Sequence, residues 1–221
     1  MTLVIIIPFR NEASTIAEIV KKCLDLRIDA KVIAVDSQST DADSKILLKE
    51  FLADPRFQLI RCEQKGKGLA VKAGLKAAGD CTHIVLQDAD KEYDPLAIVF
   101  LVKMLDEGYE SVLGVRQSNP YNVSVGAFLA NKFFRFIHNI KHPLNPLSDP
   151  LSGQRGYEAK VLISISKYLP DNFALETALN HKLSRLKTFE FPVPYSPRTK
   201  DEGKKINIVD FFKISFWMMA H

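Results

Sequence analysis

The sequence predicts an α/β fold built on an open, mostly parallel sheet with helices on both faces. Three observations carry this. Short apolar runs rich in β-branched residues recur along the first half of the chain. Stretches with apolar residues at helical spacing separate them. Polar, ligand-capable residues follow directly on several of the runs. A strand buried on both faces reads as a continuous apolar run, and alternation with helices is the mark of parallel crossovers.

Taken in order, Leu3–Ile7 is the first such run, and Ile16, Ile19, Val20, Cys23 and Leu24 then repeat at helical spacing. Lys31–Val35 reads as a second strand. Asp41–Ala53 reads as a helix with Ile46, Leu47 and Phe51 turned inward. Phe57–Ile60 is a short third strand, Leu69–Ala78 a helix rich in Ala and Lys, and His83–Leu86 a fourth strand. Pro95 opens a helix over Leu96–Leu105, where its missing N–H costs little. Ser111–Val115 is the fifth strand. The second half is less regular. Val125–Ile140 is amphipathic and aromatic, and His142–Pro150 is a Pro-rich loop. Glu158–Ser166 and Ala174–Leu186 read as helices, and Phe189–Val193 as a strand. Tyr195–Lys205 is a charged loop, and an aromatic helix runs from Asn207 to the end. No repeat or linker divides the chain, so residues 1–221 are expected to form one domain.

Composition narrows the function classes. The chain has 221 residues, 47% apolar and 25% charged, enough for a sizeable core and too apolar for disorder. No apolar run reaches the roughly 18 residues of a transmembrane helix. Met1–Phe9 is apolar but short, and no small-residue cleavage pattern follows, so it reads as a buried strand and not a signal peptide. A cytosolic location is expected. Cys23, Cys62 and Cys81 are scattered without metal-ligand spacing and read as reduced thiols. The net charge of +4 suits phosphate-bearing ligands or an anionic membrane surface without singling out either. No dense Lys/Arg run is interleaved with aromatics, which argues against a nucleic-acid partner.

In open α/β sheets ligands bind beyond the carboxyl ends of the strands. The strongest signal there is Leu86-Gln87-Asp88-Ala89-Asp90-Lys91-Glu92, an apolar strand that ends in three acidic residues within five positions. Like charges this close repel unless a cation sits among them. Oxygen ligands of this kind favour Mg²⁺ or Mn²⁺, which also bind phosphate. The bland alternative is a solvated acidic turn before the next helix. Val35-Asp36-Ser37-Gln38-Ser39-Thr40-Asp41 behaves alike: Asp36 can accept hydrogen bonds from a base or ribose, while Ser39, Thr40 or Asp41 caps the next helix. Pro8-Phe9-Arg10-Asn11-Glu12 follows the first strand. Lys65-Gly66-Lys67-Gly68 opens a helix whose N-terminus and glycines suit a phosphate, although it is not a Walker motif.

Four polar strand ends together are more specific than any one. PFRNE, VDSQSTD, KGKGLAVKAGL and LQDADKEYDP, in this order and spacing, resemble glycosyltransferase family 2, with its GT-A-type fold and Rossmann-like nucleotide-binding half. Gly114–Arg116, DPLSGQRGY at Asp149–Tyr157 and YSPRTKDEGKKI at Tyr195–Ile206 resemble its dolichyl-phosphate mannose and glucose synthase branch. The resemblance implies a nucleotide-sugar-binding half over residues 1–116 and an acceptor-side half over 117–221. It implies that Pro8, Arg10 and Glu12 line the nucleotide, with Arg10 departing from a commonly aromatic position. Asp36 reads the base, Asp88 lies near the ribose with Ala89 and Lys67 beside the donor, and Asp90 is a metal ligand. Glu92, where mannose-type relatives carry glutamine, is a second ligand for Mg²⁺ or Mn²⁺. Arg116, Arg155 and Arg198 face donor or acceptor phosphates, which suits the planar guanidinium; on residue type alone they are surface salt bridges. Asp90, Glu176, Arg155 and Arg198 form the implied catalytic set, with Glu176 a base for a hydroxyl acceptor or an orienting group for a phosphate acceptor.

The expected reaction is therefore sugar transfer with inversion from a nucleotide sugar of GDP-mannose or UDP-glucose type. A polyprenyl phosphate is the first acceptor class and a glycan or small-molecule hydroxyl the second. Nucleotidyl transfer onto a sugar phosphate would call for a Gly-rich basic loop after the first strand, which PFRNE lacks. A non-catalytic nucleotide-sugar sensor is the remaining alternative. Val209, Phe211, Phe212, Ile214, Phe216, Trp217, Met218 and Met219 form an apolar surface beside Lys204, Lys205 and Lys213. That surface suits peripheral contact with the inner face of the membrane, packing on the core, or a homodimer interface. Phe128, Phe133, Phe134 and Phe136 allow the same readings. His138, His142 and His181 are isolated in sequence and are given no metal role.

Overall fold

A computed structural model describes residues 2–41, 43–117, 125–198 and 214–218. The chain alternates β1 (Leu3–Phe9), α1 (Ile16–Leu24), β2 (Ala30–Asp36), α2 (Asp43–Leu48, continued as a 3₁₀ turn over Lys49–Phe51), β3 (Phe57–Arg61), α3 (Lys67–Ala77), β4 (His83–Leu86), α4 (Ala97–Asp106) and β5 (Ser111–Gln117). There follow α5 (Val125–Lys141), β6 (Arg155–Glu158), α6 (Ala159–Ile165, then a 3₁₀ turn over Ser166–Tyr168), α7 (Leu175–Lys182) and β7 (Thr188–Pro194). The strands form one sheet in the order β3-β2-β1-β4-β6-β5-β7. β6 is antiparallel to both its neighbours, and the other pairings are parallel. The expected open, mostly parallel α/β sheet is thus observed, with its order reversing between β1 and β4.

The continuous apolar runs have a direct cause. Successive side chains of a strand point to opposite faces, and here each face has its own core. Leu3, Ile5 and Ile7 join Val32, Val85 and the inner faces of α1 and α4. Val4 and Ile6 join Ile33, Ile84, Leu86 and the helices α3, α6 and α7. Ile16, Ile19, Val20, Cys23 and Leu24 are all buried, as their spacing predicts.

Three expectations need correcting. Ile46 and Leu47 are 57% and 40% exposed, and Leu48 is the buried residue of α2. Ser44 selects that face: it lies one turn before Leu48, is itself buried, donates to Asp41 Oδ2 (2.6 Å) and accepts from the Glu12 N–H (3.2 Å). Arg155–Glu158 is a strand, where the sequence reading assigns no element before a helix beginning at Glu158, and α7 stops four residues short of Leu186. Residues 214–218 are helical. There Ile214 and Met218 pack on Phe134 of α5, and Trp217 packs against the α3–α6–α7 core, while Phe216 stays exposed. This part of the C-terminal surface therefore packs on the core. Val209, Phe211, Phe212, Lys204, Lys205, Lys213 and Met219 lie outside the described residues. No helix among the described residues is long and apolar enough to cross a membrane.

Candidate active site

The site forms where β1, β2 and β4 end on one edge of the sheet. Pro8 is buried within β1, paired with Val35 of β2. Beyond it Asn11 adopts a left-handed φ of 52°, which asparagine tolerates better than most residues. This lets its N–H donate to Ser39 Oγ (3.0 Å) and its Oδ1 accept from the Thr40 N–H (2.7 Å). The loops after β1 and β2 are thereby tied together, with the half-buried Arg10 at their start. Asp36, at the end of β2, is buried; its Oδ1 accepts from the Ser39 N–H (2.6 Å), and Arg61 Nε lies 3.9 Å from its Oδ2.

β4 runs into the acidic turn. Lys91 adopts a left-handed φ of 58° and the Glu92 N–H donates to Asp90 Oδ1 (3.2 Å), which brings the acidic side chains to one side. Ala89 is buried beneath. Two fully buried amides brace this turn: Gln87 Nε2 donates to the Asp88 and Tyr93 carbonyls (3.1 and 3.3 Å), and Gln154 Nε2 donates to Gln87 Oε1 (2.9 Å) and the Asp94 carbonyl (3.2 Å). The Gly153 N–H donates to Tyr93 Oη (3.0 Å). A Cβ on Gly153 would lie 2.0 Å from Asp88 Oδ2, so only glycine lets the 149–154 loop back Asp88 this closely.

Two cations balance the carboxylates. Lys67 Nζ, at the start of α3, lies 2.8 Å from Asp88 Oδ1 and 2.7 Å from Glu176 Oε1 in the first turn of α7. Burial opposes charge on this ammonium, but Asp88 and Glu176 outweigh it and hold its pKa above the ordinary lysine value. Arg198 spans Glu12 and Asp90: Nη1 donates to Glu12 Oε2 (3.0 Å), and Nη2 donates to Glu12 Oε1 (3.1 Å) and Asp90 Oδ2 (2.9 Å). Glu92 accepts from Tyr195 Oη (2.9 Å) and from the Arg198 N–H (3.0 Å). Burial, then the charges of Asp88 and Glu92, push the Asp90 carboxyl up to about 7 against the pull of Arg198.

The structure thus gathers two ion-pair groups around the acidic turn, Asp88–Lys67–Glu176 and Glu12–Arg198–Asp90, with Glu92 hydrogen-bonded to the second. Ser37, next to Asp36, ties the end of β2 to the first of these groups: its Oγ accepts from the Gly66 N–H (2.8 Å) beside Lys67. Two arginines are placed differently from expectation. Arg155 is 1% exposed, and its donors go to Ser152 O (2.5 Å), Asn180 Oδ1 (2.6 Å) and Pro150 O (2.7 Å), so it holds the 149–154 loop. Arg116 commits its fork to Asp149 (Nε–Oδ2 2.7 Å, Nη2–Oδ1 2.6 Å) and lies over the Tyr195 ring. Gly66 and Gly68 also serve a different end: a Cβ on them would meet Asp171 O at 2.1 Å and Pro170 O at 1.8 Å, so they admit the backbone before α7. Among the described residues no group of three or more His, Cys, Asp or Glu converges as a metal cage. The acidic turn presents carboxylate oxygens on Asp90 and Glu92, the donor type that Mg²⁺ and Mn²⁺ take.

Sequence reasoning passed over Gln87, Tyr93, Asp149, Ser152 and Gln154, which brace the site without belonging to it chemically. The one available signal was their place inside or beside the motifs around the acidic turn and Asp149–Tyr157.

A family model described as Glycosyl transferase family 2 matches residues 4–165. A Haloferax volcanii protein named glycosyltransferase AglJ is 27% identical over 212 residues, covering 92% of this chain and 65% of its own length. A dolichol-phosphate mannosyltransferase of Pyrococcus furiosus is 25% identical over 211 residues, covering 92% of this chain and 59% of its own length. The chain therefore spans slightly less than two thirds of either relative. Among solved structures, glucosyl-3-phosphoglycerate synthase from Mycobacterium tuberculosis, in complex with Mn²⁺, UDP and glucosyl-3-phosphoglycerate, has a TM-score of 0.75 at 20% identity, over 99% of this chain and 79% of that one. The likeness to that enzyme is one of fold.

Proposed function

The chain belongs to glycosyltransferase family 2, with a GT-A-type sheet, and from that premise we propose that it moves a sugar from a nucleotide-sugar donor onto a polyprenyl phosphate. The observation that carries the reading is the acidic turn at the end of β4, where the strand order reverses. That is the position at which open α/β sheets hold ligands.

In this reading Asp90 and Glu92 would hold Mg²⁺ or Mn²⁺. The bound ion supplies charge neutralisation for the leaving diphosphate. Asp36 takes the base, Asp88 the ribose side, and Pro8, Arg10 and Glu12 border the nucleotide. The acceptor oxygen forms a bond to the anomeric carbon as that carbon's bond to the diphosphate oxygen breaks, on the opposite face, so configuration inverts. Arg198 stabilises negative charge gathering on the leaving group. Lys67 joins the donor side to Glu176 on the acceptor side. A phosphate acceptor is already an anion, so Glu176 orients it and takes no proton.

The polyprenyl-phosphate acceptor is supported by the relative named for dolichol phosphate. The enzyme would work in the cytoplasm against the inner face of the membrane. Leu129, Phe133, Phe136 and Ile140 are exposed along one side of α5 and offer an apolar face for that contact. Co-sedimentation with anionic vesicles at low salt tests this; failure to sediment would leave a homodimer interface as the use of that face. A small-molecule hydroxyl acceptor is the second reading, favoured by the fold of the phosphoglycerate enzyme.

The test of the central reading is Asp90→Ala. It should abolish Mn²⁺-dependent binding of UDP and GDP, measured by calorimetry, while the circular dichroism spectrum is retained. Asp36→Ala should weaken the nucleotide with the matching base and leave metal dependence intact. Glu176→Ala should slow turnover of a short-chain polyprenyl phosphate only modestly. A loss of about 10²–10⁴-fold would mean a base is needed and the acceptor is a hydroxyl.

A further inference from the structure

Both carboxylates offered to the metal are already engaged by one short segment. Arg198 donates to Asp90 through its side chain and to Glu92 through its backbone N–H. Tyr195 donates to Glu92 from its hydroxyl, and the Ser196 N–H donates to the Glu92 carbonyl (3.0 Å). A divalent cation that takes Asp90 and Glu92 has to exchange with these groups. Glu12 is different. It is 5% exposed, Thr15 Oγ1 donates to its Oε2 (3.1 Å), and it lies on the loop after β1, across the strand-order reversal from Asp90. It meets both terminal nitrogens of Arg198, in the fork-to-fork geometry that is the strongest form of this pair.

We propose that Arg198 is the site's own counter-ion, standing where a divalent cation binds, and that Glu12 is a positioning residue that keeps the guanidinium beside the site once the cation has taken Asp90. The inference rests on Asp90 and Glu92 as the metal ligands. Charge favours the exchange. Glu12, Asp90 and Glu92 bring three negative charges when ionised, and Arg198 cancels one. A divalent cation cancels the other two. Arg198 loses one of three side-chain hydrogen bonds and keeps the two to Glu12, so the guanidinium remains at the edge of the site with one N–H of Nη2 released toward the incoming diphosphate. Without Glu12, the same exchange would set Arg198 loose in solvent.

The test is binding of Mn²⁺ alone at pH 8, followed by the loss of the free-ion electron paramagnetic resonance signal. It is followed by calorimetry with Mn²⁺ and UDP or GDP. Arg198→Gln should bind Mn²⁺ alone about tenfold more tightly than wild type, the loss of one charge-assisted competitor for Asp90. Arg198→Lys keeps a competing charge and should stay near wild type. Glu12→Gln should not gain Mn²⁺ affinity, but it and Arg198→Gln should each lose about tenfold in nucleotide affinity. Unchanged or weaker Mn²⁺ binding in Arg198→Gln, or an equal gain in Arg198→Lys, overturns the exchange. Wild-type nucleotide affinity in Glu12→Gln overturns its positioning role. Asp90→Ala is the control for the underlying assignment: if it binds Mn²⁺ as wild type does, the metal ligands themselves are wrong.

Discussion

Replacing Lys67 with methionine is the sharpest probe of the Asp88–Lys67–Glu176 ion pairs. The change keeps the aliphatic stem and removes only the ammonium, which lies 2.8 Å from Asp88 and 2.7 Å from Glu176. The three side chains are 19%, 20% and 12% exposed, so water screens little of the carboxylate pair that remains. Removing one partner of a fully buried ion pair costs about 3–5 kcal/mol. The residual exposure here brings the expectation to the lower end, about 3 kcal/mol. For a domain of this size that is a fall in Tm of roughly 6–12 °C. Thermal unfolding followed by circular dichroism measures it. Lys67→Met combined with Glu176→Gln should recover more than half of the loss, because the charge deprived of its partner is itself removed. A Lys67→Met Tm within about 2 °C of wild type, or a double variant no more stable than the single, would refute this account of how Lys67 ties the acidic turn to α7.

Other expectations follow from single contacts. Gly68→Ala should destabilise by at least about 2 kcal/mol, since its Cβ would meet a backbone carbonyl at 1.8 Å, whereas Gly126→Ala on open helix surface should stabilise by up to about 1 kcal/mol; chemical denaturation compares them. Arg155→Met should cost about 3 kcal/mol by leaving two buried acceptors, Ser152 O and Asn180 Oδ1, without donors while Pro150 O keeps Asn180 Nδ2, and Arg155→Lys should not restore it, because one ammonium cannot serve acceptors spread around a planar fork. Burial, with the nearby charge of His142, pushes the His138 imidazole down to about 4 from 6.5. Between these values the unfolded chain takes up a proton that the folded chain refuses, so this contribution is present above about pH 6.5 and is lost as pH falls toward 4, by up to about 3 kcal/mol. Unfolding midpoints across that range should flatten in His138→Gln.

The sheet was legible because a strand buried on both faces needs nothing but apolar residues, and Leu3–Ile7 and His83–Leu86 supply them. Polar residues directly after such runs then located the edge where ligands bind. What stayed hidden depended on long-range partners. β6 begins with a buried arginine whose acceptors lie up to 25 residues away, so nothing local marks it as a strand. The face of α2 is chosen by Ser44 reaching Glu12, and helical periodicity carries no trace of that hydrogen bond. Gly66 and Gly68 show that a glycine marks a close approach without saying by what: the approaching group is the protein's own backbone at Pro170 and Asp171. The internal partners of Arg116 and Arg155 stayed hidden for a related reason. A guanidinium looks the same in sequence whether its partner is a ligand or an internal carboxylate.

The reversed direction of β6 has an architectural consequence. Because β6 pairs antiparallel with β4, its first residue, Arg155, stands beside Leu86, the last residue of β4. The chain therefore departs from the active edge after Gln117 and re-enters at that same edge, bringing the 149–154 loop up against Asp88. Everything between, α5 included, is a detour anchored at both feet on the catalytic rim. Such a detour can lengthen, shorten or change its surface without altering the register of any strand. The residues proposed to bind the donor sit at the parallel ends of β1, β2 and β4. The exposed apolar side of α5 thus belongs to a segment that the strand register does not constrain.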